Sequence, residues 1–177
     1  MRQRVTADRL EKFMKAVGRA GKKSARIYLV GGATAVLQGW RETTIDIDLK
    51  IVPELDEIFR RLPQIKEDLE INVELASPDD FIPQLPGWEE RSSYIGKEGS
   101  IEFFHYDFYA QALAKIERGH AMDLLDVRQM IERGLVEPSR LLVLFSRIED
   151  HLYKYPAIDP TAFRAAVQEL LKDIPQP

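Results

Sequence analysis

Two aspartates in one alternating segment are the strongest candidates for chemistry in this sequence. In the segment 43–52, TTIDIDLKIV, polar and apolar residues alternate, which predicts a strand with Asp46 and Asp48 on one face. The face opposite is predicted to hold Ile45, Ile47, Leu49 and Ile51. The aspartate Cβ atoms should lie about 7 Å apart, twice the rise per residue, which suits two carboxylates that bracket one or two divalent cations. The alternative is a polar sheet face in contact with water.

A pair of glycines precedes the aspartates by about a dozen residues. Gly31 and Gly32 follow the β-rich run ARIYLV and precede a short predicted helix. Glycine lets the backbone approach a phosphate closely, and a helix start offers free N–H donors. Thr34 adds a hydroxyl donor in the first helical turn. The two glycines alone fit any strand-to-helix turn. Together with the aspartates they predict phosphoryl transfer, because that reaction needs the phosphates to be positioned and their negative charge to be neutralised.

A third carboxylate would complete a two-metal site, and Glu74 is the candidate. It lies in EINVELA, where Ile71, Val73 and Leu75 are predicted to face the core and Asn72 and Glu74 the polar side. A neighbouring strand could place Glu74 beside the aspartates. The alternation alone equally allows a solvated glutamate on an edge strand.

The elements that must position these residues follow from periodicity and from the glycine and proline positions. The first helix is predicted at 6–21, with Thr6 as its cap. Strands are predicted at 25–30, 43–52, 70–76 and 100–106, with a further short one at 93–95. Helices are predicted at 33–38 and from Pro53 onward, then at 107–117, 121–133, 138–154 and 160–173. The order predicts an α+β fold: a mixed-sheet core over 1–106, followed by C-terminal helices over 107–177 that pack on the core as one structural unit.

Composition limits the classes of function. The chain has 177 residues, 45% hydrophobic and 31% charged, with a net charge of −4, so it is not basic overall, although short basic segments occur at 19–26 and 60–61. The absence of cysteine excludes disulfides, thiolate metal sites and a cysteine nucleophile. The N-terminal segment lacks the apolar stretch of a secretory signal, and no apolar run approaches the ~20 residues of a membrane span. We therefore expect a cytoplasmic protein with no membrane partner.

The glycine pair and the aspartates together carry a family resemblance. The stretch 28–51, YLVGGATAVLQGWRETTIDIDLKI, resembles the signature of the DNA polymerase β-like nucleotidyltransferase superfamily, and its RETTIDID part looks most like the branch that contains AbiEii-type abortive-infection toxins and small stand-alone relatives. Two later stretches, INVELASPDDFIP and AKIERGHAMDLLDVRQMI, resemble the third-strand region and the helical motif of that branch. The resemblance covers about 27–131.

This resemblance implies a polymerase β-like fold and the transfer of a nucleotidyl group from a nucleoside triphosphate to a hydroxyl, with pyrophosphate leaving. The implied site holds Mg²⁺ or Mn²⁺ on Asp46, Asp48 and Glu74, and triphosphate on Gly31, Gly32 and Thr34. Glu74 would also help to activate the acceptor hydroxyl. Two positions depart from the pattern: Glu74 stands where members more often have Asp, and Gly32 where many have Ser.

Two basic residues are further candidates for triphosphate contact. Arg41 could reach a phosphate, or pair on the surface with Glu42 or Asp46. The resemblance treats Lys115 and Asp126 as site residues, whereas helical spacing equally allows an interhelical ion pair between them.

The expected activity leaves the acceptor open. It could be tRNA, another protein or a small molecule, and the chain could be the toxin of a toxin–antitoxin pair with a cognate antitoxin as partner. The alternatives are a catalytically inactive nucleotidyltransferase fold that binds nucleotide or a protein partner, and a non-enzymatic antitoxin or adaptor. The intact pair of aspartates argues against the inactive fold. An antitoxin or adaptor would be expected to carry a disordered tail that wraps a partner, and the sequence shows no such segment.

Overall fold

A mixed five-stranded sheet is the centre of the computed structural model, which describes residues 2–174. The strand order is β3-β2-β1-β5-β4. Strand β1 pairs antiparallel with β2 and parallel with β5, β2 pairs parallel with β3, and β4 pairs antiparallel with β5. The strands are β1 (Ala25–Val30), β2 (Asp46–Val52), β3 (Asn72–Glu74), β4 (Ser93–Glu98) and β5 (Ile101–His105).

Helices flank the sheet in the sequence and dominate the C-terminal part, which confirms the predicted α+β class. The helices are α1 (Ala7–Ala20), α2 (Gly31–Leu37), α3 (Asp56–Asp68), α4 (Trp88–Arg91), α5 (Phe108–Arg118), α6 (Ala121–Glu132), α7 (Pro138–Ser146) and α8 (Pro160–Lys172). The predicted cap of the first helix is present, because the Thr6 hydroxyl accepts a hydrogen bond from the Arg9 N–H. None of the helices within 2–174 is both long and apolar enough to cross a membrane.

One face of the sheet forms the main core. Alternate residues of β1 and β2 are buried there, and α1 and α3 contribute Phe13, Val17, Ile58 and Leu62 to the same apolar cluster. Because side chains alternate across a strand, the residues between them lie on the opposite face. The sheet therefore separates the apolar core from a face that holds Asp46, Asp48 and Glu74.

Several predicted boundaries are wrong at the ends of elements. Strand β2 begins at Asp46 rather than at 43, and Ile45 is 68% exposed instead of facing the core. The reason is that Thr44 pairs with Val5 in an isolated bridge, which takes the chain out of the ladder before Asp46. Strand β3 has three residues, while β4 extends to Glu98, beyond the short strand expected there.

Two predicted helices also differ from those observed. The helix expected from Pro53 begins at Asp56, after the chain turns away from β2. The helix expected over 138–154 ends at Ser146 and is followed by a 3-10 helix, Glu149–Lys154. Proline suits the first turn of a helix but does not require one at Pro53, and the apolar periodicity of 138–154 continues across a break in the backbone hydrogen bonding, so neither signal located the boundary.

The chain divides into two compact units. The first comprises Met1–Ser77 and Ser92–Tyr106, and the second Pro78–Arg91 and Asp107–Pro177. The first unit contains the whole sheet. The second is helical, and its core includes an edge-to-face pair of Phe145 and Phe163 with ring centroids 4.8 Å apart. The segment Pro78–Arg91, which the sequence grouped with the sheet, belongs to the helical unit.

Candidate active site

Three carboxylates of the first unit converge on one face of the sheet. Asp46 and Asp48 lie two apart on β2, and the parallel pairing of β2 with β3 sets Glu74 directly beside Asp48. Ligand oxygens of the three side chains lie within 4.8 Å of one another. The aspartates are half-buried and Glu74 is exposed. The alternation predicted the pair, and the strand register brings the third carboxylate to it.

The donor set of this carboxylate group fits a hard divalent cation. Mg²⁺ and Mn²⁺ prefer oxygen ligands, and each of the three residues offers a carboxylate oxygen. Three like charges at this distance repel one another, and a bound cation relieves that repulsion. Within residues 2–174, no other group of three or more His, Asp or Glu side chains has such an arrangement.

Gly31 lies against the carboxylate group. Its φ is +61°, a left-handed conformation that favours glycine, and a Cβ atom built on it would lie 3.3 Å from Asp48 Oδ2. The backbone at the start of α2 therefore approaches the carboxylates closely, and the predicted contact of this turn with a phosphate stays a prediction. Any larger residue here would be strained and would crowd Asp48.

Gly32 has a different constraint. A Cβ at this position would lie 2.0 Å from Thr44 Oγ1, so glycine is required for α2 to pack against the residue that precedes β2. Thr44 is buried, and no local sequence pattern predicted this contact. The glycine pair therefore serves the packing of α2 as well as access to the carboxylates.

Thr34 does not occupy the position predicted for it. Its side chain is fully buried, and its hydroxyl donates a hydrogen bond to the Leu29 carbonyl at 3.1 Å. The prediction treated a residue of the first helical turn as accessible, but the side chain points between α2 and the sheet. Thr34 is therefore a structural residue rather than a triphosphate ligand.

A buried histidine that the sequence analysis did not select completes this contact. His105 Nδ1 lies 3.2 Å from Thr34 Oγ1, and Gln38 Nε2 lies 3.1 Å from His105 Nε2. Because Thr34 donates to Leu29 and the Gln38 amide is a donor, one neutral tautomer satisfies both contacts, with the proton on Nδ1. Burial lowers the pKa of His105 to about 4, which keeps the ring neutral at pH 7. The alternation of SIEFFHY would place His105 on the core face, and this was the available signal.

Arg41 follows α2, and its backbone N–H donates to the Ala35 carbonyl at 3.3 Å. Its side chain is half-buried. The predicted contact between Arg41 and a phosphate stays a prediction.

Lys115 belongs to the second unit, where it forms a buried interhelical ion pair. Its Nζ lies 2.7 Å from Asp126 Oδ2 and 3.3 Å from Asp123 Oδ1, so α5 and α6 are joined by charge-assisted hydrogen bonds. Burial would raise the pKa of Asp123, but hydrogen bonds from Arg118 and the charge of Lys115 outweigh it and hold that pKa below its usual value. Of the two alternatives for Lys115, the structure shows the ion pair.

The fold and the site together define the class of protein. A mixed sheet with a glycine-initiated helix after β1, two aspartates at the start of β2 and an acidic residue on the adjacent strand is consistent with a nucleotidyltransferase-like fold. The chain belongs to the family described as "Nucleotidyltransferase of unknown function (DUF6036)", whose model matches residues 8–164. Searches of curated proteins and of solved structures gave no match.

Proposed function

We propose that this protein is a metal-dependent nucleotidyltransferase that moves a nucleoside monophosphate from a nucleoside triphosphate to a hydroxyl acceptor. The observation that carries the proposal is the carboxylate group of Asp46, Asp48 and Glu74, with ligand oxygens within 4.8 Å of one another. Membership of a nucleotidyltransferase family supports the same reaction class. A structural role for three adjacent carboxylates would be costly, because their charges repel.

The three carboxylates would hold Mg²⁺ or Mn²⁺, which when bound neutralises the triphosphate and the charge that develops on the leaving pyrophosphate. The acceptor oxygen attacks the α-phosphorus, and the bond from the α-phosphorus to the oxygen that bridges to the β-phosphate breaks. Pyrophosphate leaves with that bonding electron pair. Glu74 is the most exposed of the three, so we assign it the proton of the acceptor hydroxyl.

The backbone at Gly31 and Gly32 is the proposed contact for the triphosphate. Gly31 lies against Asp48, so phosphates at this turn would lie beside the proposed metal ligands. Arg41 follows the same helix and is a second proposed phosphate contact. Thr34 and Lys115 are left out of this assignment because both are buried and engaged elsewhere.

The AbiEii-like branch is the finer assignment that we propose from sequence alone. The support for it is the motif similarity over 27–131, which would make this chain the toxin of a toxin–antitoxin pair with a cognate antitoxin. Its acceptor would then be tRNA, another protein or a small molecule. Expression of the chain alone and together with each gene that flanks its own tests this assignment: growth arrest by the chain alone, relieved by a flanking gene, supports it.

A thermal-shift titration tests the proposed reaction. Each nucleoside triphosphate is added with and without Mg²⁺ or Mn²⁺ to wild type, to Asp46→Asn/Asp48→Asn and to the control Asp56→Asn, which removes an exposed carboxylate on α3. Ligand at 100 times its Kd stabilises the native state by about 2.7 kcal/mol. We expect a metal-dependent rise in Tm for wild type and the control only.

Transfer of label from an α-³²P nucleotide to candidate acceptors then separates the enzyme from an inactive nucleotide-binding fold. A thermal shift without transfer to any acceptor, together with no release of pyrophosphate, would support the inactive fold. Equal shifts in wild type and in the double variant would show that the carboxylates are not the metal site.

A further inference from the structure

The face of the sheet that holds the carboxylates continues as a row of aromatic side chains. Strand pairing aligns Tyr28 of β1 with Lys50 of β2 and with Phe104 of β5, and Phe104 in turn with Tyr94 of β4. Directly paired residues share a face, so this row lies on the same face as Asp48. The row is about 7 Å further along the strands than Asp48, and Tyr94 also lies three strands away from β2, about 14 Å across the sheet.

A third row on this face is charged. Arg26 of β1 pairs with Glu102 of β5, which pairs with Lys97 of β4. Arg26 lies opposite Val52, four residues beyond Asp48 on β2, so this row is about 14 Å from the carboxylates. Along the strands, the face therefore presents the carboxylates, then the aromatic rings, then a charged row of Arg26, Glu102 and Lys97.

The aromatic row is partly open to solvent. Tyr28 is 1% exposed, but Tyr94 is 59% exposed and Phe104 is half-buried. The rings of Tyr94 and Phe104 meet edge to face with centroids 5.5 Å apart, and the Arg26 guanidinium carbon lies 5.5 Å from the Phe104 centroid. An exposed tyrosine beside a ring that is already stacked by arginine offers a flat apolar surface next to a positive charge.

Positive charge accumulates where β1 begins. Lys22 and Lys23 are exposed and precede β1, four and three residues before Arg26 in the sequence. Glu102 offsets this in part, since Arg26 lies 3.7 Å from it in a half-exposed pair. Glu57 accepts hydrogen bonds from the backbone N–H groups of Lys22 and Lys23 and fixes that turn. Glu57 and Glu102 offset two of the four positive charges of Lys22, Lys23, Arg26 and Lys97, and Glu98 follows Lys97 on β4, so the local excess of cations is small.

We propose that this face binds a single-stranded nucleic acid, with a base on Tyr94 and Phe104 and backbone phosphates on Arg26 and Lys97. The inference rests on the proposed function and specifies it, because the terminal hydroxyl of the strand would be the acceptor at the carboxylates. Aromatic rings that stack bases beside cations that contact phosphates are the features that bind single strands without reading sequence. A duplex has its bases stacked internally and offers none to Tyr94.

Fluorescence anisotropy with a labelled ten-nucleotide single strand tests the face, in separate arms for RNA and for DNA. Tyr94→Ala should weaken binding about five- to 150-fold, the range for loss of one base–aromatic stack. Tyr94→Phe keeps the ring and should bind as wild type does. Tyr153→Ala is the matched control, since Tyr153 is 74% exposed and also lies beside a cation, Lys154, 5.8 Å from its ring centroid. It should leave the affinity unchanged.

The salt dependence tests the cations separately. Arg26→Gln and Lys97→Gln should each lower the slope of log K against log salt by about 0.7, the value for one phosphate contact in a single strand. Lys12→Gln, on the outer side of α1 in an exposed ion pair with Asp8, should leave the slope unchanged. Dependence on Tyr94 in either arm supports the proposal and identifies the strand as RNA or DNA.

Three results would overturn the proposal: no binding of either strand by wild type, equal losses in Tyr94→Ala and Tyr153→Ala, or preference for a blunt duplex. The proposed function fails by a different result, the lack of a metal-dependent shift with nucleotide in wild type. Single-strand binding needs no nucleoside triphosphate, so each outcome can occur without the other.

Discussion

Asp46, Asp48 and Glu74 place three negative charges within 4.8 Å of one another. Asp46→Asn removes one of them and lessens the mutual repulsion, so the metal-free protein should gain about 1–3 °C in Tm, given about 2–4 °C per kcal/mol for a chain of this size. The same variant should lose most of the rise in Tm that millimolar Mg²⁺ produces in wild type. Differential scanning fluorimetry with EDTA and with Mg²⁺ measures both effects.

A lower Tm of Asp46→Asn in EDTA would mean that the carboxylate makes a stabilising contact that exceeds the repulsion. An unchanged response to Mg²⁺ would contradict its assignment as a metal ligand. Asp56→Asn controls for the loss of a surface charge, because Asp56 is exposed and outside the carboxylate group.

His105 gives the protein a pH dependence of known sign. Its folded-state pKa of about 4 lies below the ordinary value of 6.5, so the unfolded chain binds more protons between these two pH values. The free energy of unfolding is therefore highest above pH 6.5 and falls as the pH decreases toward 4. Between pH 7 and pH 4.5 this single group should account for a loss of about 2–3 kcal/mol.

Urea denaturation at the two pH values measures this loss in wild type and in His105→Gln. His105→Gln lacks the titrating ring. Between pH 7 and pH 4.5 its free energy of unfolding should therefore fall by about 2–3 kcal/mol less than that of wild type, whatever its stability at pH 7. Equal losses in the two proteins would show that His105 remains accessible to protons in the folded state.

At the scale of elements, Gly32 and Thr44 determine how α2 packs before β2. Gly32→Ala would put a methyl group 2.0 Å from Thr44 Oγ1 and 2.7 Å from Thr44 Cβ, so the variant should lose about 1–3 kcal/mol, the usual cost of overpacking. Thr44→Ala removes the nearer atom and should recover part of the loss. A double-mutant cycle from urea denaturation measures the coupling, and additive losses would contradict the contact.

The two helices α5 and α6 are joined by the ion pair of Lys115 with Asp126. Lys115→Met leaves two carboxylates without this buried partner and should cost about 3–5 kcal/mol. Lys12→Met breaks the Lys12–Asp8 pair, which is as short at 2.6 Å but exposed, and should cost less than about 1 kcal/mol. Urea denaturation compares the two variants, and similar losses would show that burial does not govern the strength of these pairs.

The elements themselves were predicted well wherever periodicity was long. Helix α1 and strands β1 and β5 lie within one or two residues of their predicted ranges. The first residues of β2 and of α3 were predicted wrongly. The start of β2 depends on a contact with a distant residue, the bridge between Thr44 and Val5. Local propensity contains no information about such partners.

At the scale of the whole molecule, the sequence determined the α+β class, the aspartate pair on one strand face and the glycines before it. Each of these is a local property, since alternation and turn chemistry act within a few residues. The family membership over residues 8–164 agrees with that class.

Only the tertiary structure decided which distant residues meet. It set Glu74 beside Asp48 through the β2–β3 register, buried Thr34 against His105, and engaged Lys115 with Asp126 in the second unit. It also aligned Tyr94 and Phe104 on the face of the carboxylates through the pairing of β4, β5 and β1. The physical reason is that strand register and helix packing depend on the whole apolar core, whereas the pattern of a single segment specifies only which of its own residues share a face.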